Sequence, residues 1–275
     1  MNTITMDNIP LGKEISYISH YQPDLLFPIP RQLNRDEIGV SGVLPFKGQD
    51  IWTAFEISWL NAKGKPMVAI GDFIFPCESP NLIESKSFKL YLNSFNNTKF
   101  DSLDVVEATI RKDLSAAVKA DVVVNIVLVD SFSGRELGAF AGESLDHLDI
   151  ECNTYLVTPK FLKVDGVIVT ETLTSDLLKS NCLVTGQPDW ASVQIEYTGQ
   201  KIQREGLLKY LVSFRDHNEF HEQCVERIFV DIMKYCAPQK LTVYARYTRR
   251  GGLDINPYRS TEVIKVPQNV RLSRQ

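Results

Sequence analysis

The chain has 275 residues, of which 44% are apolar and 23% are charged, the balance of a globular protein with a buried core. Its formal net charge is −4. Proteins that grip nucleic-acid phosphates carry a basic excess, so we expect no nucleic-acid partner. The longest apolar stretch, Val122 to Val129, is interrupted by Asn125 and is far too short to cross a bilayer. With no signal-peptide pattern in residues 1–10, we expect a soluble, cytoplasmic protein with no membrane contact.

The cysteines and histidines argue against structural metal sites and disulfides. The five cysteines are odd in number, widely spaced and without a C-x-x-C pair, which is unlike a disulfide framework or a zinc site. His217 and His221 could share one helix face, but no third ligand lies at a useful spacing. We therefore expect no metal.

A repeat at an offset of 119 residues divides the chain into two related halves. Tyr91 corresponds to Tyr210, and Val106 corresponds to Val225. In both halves this stretch is followed by apolar residues at three- and four-residue steps, the pattern of an amphipathic helix. The repeat predicts two α+β copies, each of two strands, a helical layer and two more strands, in domains 1–130 and 131–275.

Two of the predicted strands differ in their expected burial. Residues 121–130 are almost uniformly apolar, which predicts a strand buried on both faces. Apolar and polar residues alternate from Leu241 to Thr248, which predicts a strand with one buried face and one solvent face.

The two copies differ in their polar residues. The first half contains Glu84-Ser85-Lys86-Ser87, which the second half lacks, whereas only the second half contains Cys182 and His221-Glu222. Polar groups kept in one copy and lost from the other indicate sites that both halves build together, within one chain or across a dimer.

Cys182 and Asp189 lie on either side of a turn marked by Gly186 and Pro188. A thiol close to a carboxyl group suits covalent catalysis, because the thiolate adds to an electrophilic carbon and the acid supplies a proton. A small buried cysteine and a turn-capping aspartate explain the same residues, and both interpretations stay open at this point.

Three further groups of polar residues have a structural and a functional interpretation. Glu84 to Ser87 fit a capped helix start or a binding site. Glu222, after Phe220-His221, fits the acidic first turn of a helix, or a carboxylate that reads two N–H donors of a guanine-like base. Arg249 to Gly252 fit a hairpin turn or a phosphate contact. No G-x-G-x-x-G follows a strand, so a Rossmann site is absent.

Together these motifs closely resemble the 7-cyano-7-deazaguanine reductases of queuosine biosynthesis, in their long two-domain form. The matching segments, in the family's order, are Glu84 to Tyr91, Cys182 to Asp189, Phe220 to Glu222 and Arg250 to Gly252. Leu183 departs from the proline expected there. The resemblance covers most of residues 20 to 262. It implies the α+β tandem tunnelling fold of GTP cyclohydrolase I, with two ββααββ-type halves, antiparallel sheets and the helices on one face.

The resemblance also implies an activity, the NADPH-dependent reduction of the nitrile of 7-cyano-7-deazaguanine to 7-aminomethyl-7-deazaguanine. Cys182 would attack the nitrile carbon to form a covalent thioimide, and Asp189 would protonate the nitrogen. The residues implied to bind the substrate are Ile83, Glu84, Ser85, His221 and Glu222. Those implied to contact NADPH are Ser85, Lys86, Arg250 and Gly251. The family further implies a homodimer and no metal.

Two alternatives stay open, one a different enzyme of the same fold and the other a protein of another class. A cyclohydrolase-like enzyme of the same fold would need zinc held by cysteine and histidine ligands, and no convincing ligand set accompanies Cys182. A purine- or pterin-binding module without catalysis would keep Glu222 and Phe220, but it would not need Cys182 and Asp189 together.

Overall fold

The computed structural model describes residues 17–132, 137–262 and 269–275. The helices in these ranges are α1 (Arg31–Glu37), α2 (Ser85–Asn93), α3 (Leu103–Val118), α4 (Arg204–Val212) and α5 (His221–Cys236). The strands are β1 (Pro28–Pro30), β2 (Lys47–Leu60), β3 (Pro66–Pro76), β4 (Asn81–Ile83), β5 (Val123–Leu128), β6 (Leu137–Gly138), β7 (Glu143–Ser144), β8 (Val164–Asn181), β9 (Pro188–Ile202), β10 (Lys240–Tyr247), β11 (Leu253–Ser260) and β12 (Arg271–Leu272). None of the helices described here combines the length and the apolar character that a bilayer crossing requires.

The described residues fall into two compact units. The first unit contains residues 17–34, 50–132 and 249–254, and the second contains residues 35–49, 137–248, 255–262 and 269–275. Neither unit is one continuous stretch of chain. The division into domains 1–130 and 131–275 stays a prediction.

In the first unit, an aromatic core joins α2 to the sheet. Strands β5, β3 and β2 follow one another in the sheet, with β3 and β5 antiparallel from Ala69↔Leu128 to Ile74↔Val123. The ring of Phe88 on α2 lies 5.0 Å from that of Phe73 and 5.7 Å from that of Trp52, edge to face in both cases. Such aromatic pairs contribute beyond their buried area, so α2 is firmly packed on β2 and β3.

In the second unit, the strands and helices follow the order that the sequence predicts. The strand order is β11, β10, β9, β8 and β7. Strands β8 and β9 form a long antiparallel hairpin, and β10 pairs antiparallel with both β9 and β11. Along the chain, β8 and β9 precede α4 and α5, which precede β10 and β11. The α+β class with antiparallel sheets is therefore confirmed.

The internal repeat extends to individual hydrogen bonds. Helices α2 and α4 each have nine residues and start 119 positions apart. The Tyr91 hydroxyl donates to Asp113 at 2.7 Å, and the Tyr210 hydroxyl donates to Asp231 at the same distance. Each copy also has a serine hydroxyl that donates to the tyrosine carbonyl at 2.6 Å. The repeat therefore reflects a common packing scheme as well as a common sequence pattern.

The predicted offset is wrong by one residue in the second helix of each copy. The fully buried positions of α3 and α5 match at an offset of 118, so Val106 corresponds to Cys224 and not to Val225. The later pairs follow the same register, and they are Ile110 with Ile228, Leu114 with Ile232 and Val118 with Cys236. The connection before α5 is one residue shorter than the connection before α3, which accounts for the change.

Two predictions of strand burial are also wrong. In β5, Val124 and Ile126 are buried but Val123 is 57% exposed, because α3 packs against this strand and covers one face. In β10, the residues expected to face solvent are largely buried. Arg246 donates to the Tyr244 hydroxyl at 2.7 Å and to Gln275 Oε1 at 2.6 Å. The segment containing Gln275, far along the chain, thus covers the face expected to be open.

Helix α5 is anchored by buried ion pairs on Glu226. Arg35 of α1 donates to both carboxylate oxygens at 2.8 and 2.9 Å, and Arg259 of β11 donates to Oε1 at 2.8 and 3.1 Å. Both guanidinium groups also lie within 6 Å of the Phe46 ring centroid, at 5.7 and 5.5 Å, within reach of a cation–π interaction. Removal of one partner from a buried ion pair costs about 3–5 kcal/mol, so the place of α5 in its unit is strongly specified.

The repeated tyrosine–aspartate bonds make a matched stability test possible. We expect Tyr210→Phe to lower the free energy of unfolding by about 1–3 kcal/mol, because the partly buried Asp231 carboxylate loses its hydroxyl donor. Tyr91→Phe should cost less, since the Tyr21 hydroxyl also donates to Asp113 Oδ2 at 2.7 Å. Urea unfolding of both variants measures the difference, and an equal or larger loss for Tyr91→Phe would contradict this interpretation.

Candidate functional site

Cys182 and Asp189 lie at the closed end of the β8–β9 hairpin. Asp189 pairs with Ser180 in the antiparallel register, and Cys182 is the first residue beyond β8. Both are buried, with 4% and 5% exposure. The hairpin therefore brings the predicted nucleophile and the predicted acid to one end of the second unit.

Backbone hydrogen bonds hold the turn that carries Cys182. Its N–H donates to the carbonyl of Gln187 at 2.8 Å, and its carbonyl accepts from the N–H of Gly186 at 3.0 Å. Gly186 has a φ of +67°, which glycine adopts without steric cost. The predicted turn is confirmed, and Cys182 has a fixed backbone.

His221 and Glu222, in the first turn of α5, lie in the same unit. His221 Nε2 is 3.7 Å from Asp189 Oδ1, and the His221 ring meets the ring of Tyr247 edge to face, with centroids 4.1 Å apart. Glu222 is 3% exposed. An imidazole, a carboxyl group and a thiol are thus gathered around the hairpin end and the first turn of α5.

Two neighbouring groups, Cys224 and Tyr247, stay protonated near pH 7. Burial raises the pKa of the Cys224 thiol and of the Tyr247 hydroxyl well above their ordinary values, and the negative charges of Glu219 and Asp189 add to the effect. Both groups are therefore neutral near pH 7.

In the first unit, Glu84 caps the N-terminus of α2. Its two carboxylate oxygens accept the backbone N–H groups of Lys86 at 2.8 Å and Ser87 at 2.7 Å, the role of an N-cap. Burial raises the pKa of the Glu84 carboxyl, although these hydrogen bonds and the charges of Lys86 and Arg250 oppose the rise. The capped helix start is thus observed, and a substrate contact by Glu84 stays a prediction.

The segment Arg250 to Leu253 forms a tight two-residue turn. Arg250 and Leu253 exchange backbone hydrogen bonds of 2.9 and 3.2 Å. Gly251 and Gly252 have φ values of +62° and +76°, as hairpin turns of this length require. A Cβ at Gly251 would lie 2.9 Å from Cδ of Lys89, so the glycine lets the turn approach α2 closely.

The start of α2 and this turn present cations suited to a phosphate. Lys86 and Arg250 both act on Glu84 electrostatically, and Lys89 lies against Gly251. Guanidinium and ammonium groups are usual partners of phosphate oxygens. The cationic residues predicted to contact a phosphorylated cofactor therefore have the charge that a phosphate requires. Ser85 is the first residue of α2, and Ile83 is buried at the end of β4, just before it.

Sequence reasoning missed two residues of the second unit, Tyr247 beside His221 and Glu219 beside Asn181. Tyr247 was predicted only as a strand residue, although it directly precedes the Thr248 to Gly252 segment. Glu219 gave no signal in the sequence beyond its place near Phe220. Among the residues with described positions, no group of three or more His, Cys, Asp or Glu could hold a metal ion.

Comparison with known proteins gives matches over both halves. Residues 17–126 match the family described as "Nitrile reductase, 7-cyano-7-deazaguanine-reductase N-term", and residues 188–265 match "QueF-like protein". A solved structure of the archaeosine synthase QueF-Like covers 37% of this chain and all of its own, with a TM-score of 0.31 and 18% identity.

Relatives that align over nearly their whole length are much more similar to this chain than that solved structure is. A protein of Chromobacterium violaceum is 59% identical over all of this chain and 99% of its own length. Proteins of Albidiferax ferrireducens and Ralstonia nicotianae are 56% and 58% identical, over 98% of this chain and 99% of their own. Each is named NADPH-dependent 7-cyano-7-deazaguanine reductase. The chain belongs to the 7-cyano-7-deazaguanine reductase family of NADPH-dependent oxidoreductases.

Proposed function

We propose that this protein reduces the nitrile of 7-cyano-7-deazaguanine to the primary amine, through a covalent thioimide on Cys182. The single observation that carries the proposal is the buried thiol at the end of the β8–β9 hairpin, on the same hairpin end as Asp189, whose carboxyl lies 3.7 Å from His221. The names of the relatives support the choice of substrate.

The first step makes the nitrile reactive. The Cys182 sulfur attacks the nitrile carbon, a C–S bond forms, and the nitrogen gains a proton. A nitrile is a poor hydride acceptor, and nucleophilic addition splits one difficult reaction into easier ones. Asp189 is the proposed proton donor, since its carboxyl is buried beside His221, which can return the proton.

The reduction then needs two hydrides and balances with two molecules of NADPH and two protons. NADPH supplies a hydride to carbon in each reducing step. After the first hydride, the C–S bond breaks, Cys182 is released and an imine remains. The second hydride and a proton give the amine. Cys182 is thus regenerated, and Asp189 and His221 donate and accept the protons.

The proposed binding roles follow the two clusters of residues. His221 and Glu222 hold the deazaguanine base, because a buried carboxylate accepts two N–H donors of a guanine edge. Ile83, Glu84 and Ser85 complete the substrate contacts, and Lys86, Arg250 and Gly251, again with Ser85, meet NADPH. We place the activity in tRNA queuosine biosynthesis. The homodimer and the cytoplasmic location stay predictions.

The covalent step has a direct test in NADPH consumption. With 7-cyano-7-deazaguanine, the native protein should oxidise two NADPH per substrate, and Cys182→Ala should oxidise none because no C–S bond forms. Asp189→Asn should be slower by about 10²–10⁴-fold, the usual contribution of a general acid. Absorbance at the NADPH band measures all three.

Cys236→Ala is the matched control, since this cysteine is buried at the far end of α5. It should keep both the rate and the stoichiometry. Oxidation by Cys182→Ala would refute the covalent route. Tight substrate binding without any oxidation by the native protein would favour a non-catalytic binding module.

The proposed cofactor contacts predict a selective effect on KM. Lys86→Ala or Arg250→Ala should raise the KM for NADPH about tenfold, equivalent to about 1.4 kcal/mol of lost binding. Arg111→Ala is the control, because this partly exposed arginine pairs with Glu107 on α3 and such surface pairs contribute little. Initial rates at varied NADPH measure the effect, and an unchanged KM in both variants would exclude these cations from the cofactor site.

A further inference from the structure

The residue before Cys182 is hydrogen bonded to the segment that precedes α5. The Asn181 N–H donates to the carbonyl of His217 at 2.8 Å, and the Glu219 N–H donates to the carbonyl of Asn181 at 3.0 Å. These two bonds form a short parallel bridge across Asn218. The end of β8 and the entry to α5 therefore share backbone hydrogen bonds immediately beside the proposed nucleophile.

A lysine adds a second link between the same two segments. Lys179 Nζ donates to the carbonyl of Arg215 at 2.5 Å and to Asn181 Oδ1 at 2.7 Å. Lys179 belongs to β8, and Arg215 belongs to the 3-10 turn Ser213–Asp216. The connection is therefore made by side chains as well as by the backbone.

The Glu219 side chain carries the connection into α5 itself. Its carboxylate is 1% exposed, and Oε1 accepts a hydrogen bond from Nε of Arg227 at 2.7 Å and forms an ion pair with Nη2 of Arg227 at 2.5 Å. His217 Nε2 lies 3.3 Å from Oε1 without a hydrogen bond. Oε2 has no hydrogen-bond partner among the described residues. Arg227 lies on the same helix as His221, six residues further along. Glu219 thus links two elements. Its backbone N–H is bonded to Asn181 at the end of β8, and its side chain is bonded to Arg227 of α5.

A buried ion pair of this kind is weak evidence for stability, because desolvation of both charges offsets much of their attraction. Its geometric effect is more specific. The pair fixes the loop 217–219 against α5, and the loop fixes Asn181. Catalytic groups must hold their geometry closely, since a displacement of about 1 Å can cost about 10²-fold in rate.

We propose that Glu219 is a positioning residue, which through Asn181 and Arg227 fixes the Cys182 sulfur relative to the first turn of α5. It does not touch the reacting atoms. The proposal rests on the nitrile chemistry proposed above, and it adds a residue to which the sequence motifs assign no role.

The test separates the position of the thiol from its intrinsic reactivity. Glu219→Gln keeps the size of the side chain but removes its charge. Without NADPH, we expect formation of the covalent adduct with 7-cyano-7-deazaguanine, followed by absorbance, to slow at least tenfold. Alkylation of Cys182 by iodoacetamide, followed by peptide mass spectrometry, should change less than threefold, because a small reagent needs no fixed angle of approach.

Asp113→Asn is the matched control for stability. It removes the charge of a carboxylate in the first unit that accepts hydrogen bonds from Tyr21 and Tyr91, whereas Cys182 belongs to the second unit. It should lower the melting temperature and leave the rate of adduct formation unchanged. If Glu219→Gln does not fold, Arg227→Lys keeps the charge, loses the two-donor geometry and should show the same selective slowing.

Hydrogen exchange supplies a readout that is independent of activity. In Glu219→Gln, the amide protons of Asn181 and Glu219 should exchange faster, while in Asp113→Asn they should not. Unchanged exchange, an unchanged rate of adduct formation, or equal slowing of adduct formation and alkylation would each overturn the positioning role. If the native protein forms no adduct at all, the nitrile chemistry fails first, and the positioning role fails with it.

Discussion

Helix α5 is held in place by charge, and the candidate catalytic site depends on where that helix lies. Glu226 accepts hydrogen bonds from Arg35 and Arg259, all within the second unit and all buried. Three charges taken out of water are tolerable only when they satisfy one another. Because the ion pairs fix the middle of α5 and apolar residues fill its other side, His221 and Glu222 at its start have little freedom. The chemistry proposed for this protein therefore rests on an electrostatic anchor about one turn further along the helix.

Much of the fold could be predicted because it is encoded by local patterns. Helical periodicity predicted α3 and α5, and a capped helix start at Glu84 was one of two interpretations for the segment of α2, whereas α4 was not predicted as a separate helix. The failures in the strands concern burial, which depends on residues distant in sequence. The alternation in β10 predicts a solvent face, but Gln275 covers it, and no pattern within β10 contains that information. The apolar run in β5 likewise reports the composition of the strand and not how many of its faces are covered.

The candidate site was predictable where a turn defines it. Gly186 and Pro188 mark the hairpin end, so the proximity of Cys182 and Asp189 follows from local sequence. Glu84 was harder, since a carboxylate at a helix start serves equally as a cap or as a ligand, and only coordinates show both oxygens engaged with backbone N–H groups. The bridge from Asn181 to Glu219 connects residues 38 positions apart, which is beyond any periodicity argument.

The duplicated hydrogen bonds of Tyr91 and Tyr210 bear on how such a protein arises. The contacts that repeat are those that hold each pair of helices together, whereas the residues proposed for chemistry occur in one copy only. Each copy therefore has its own hydrogen bonds between its paired helices, whichever reactive groups it carries. In evolutionary terms, a copy of this kind can lose a reactive group without losing the contacts that hold its helices together.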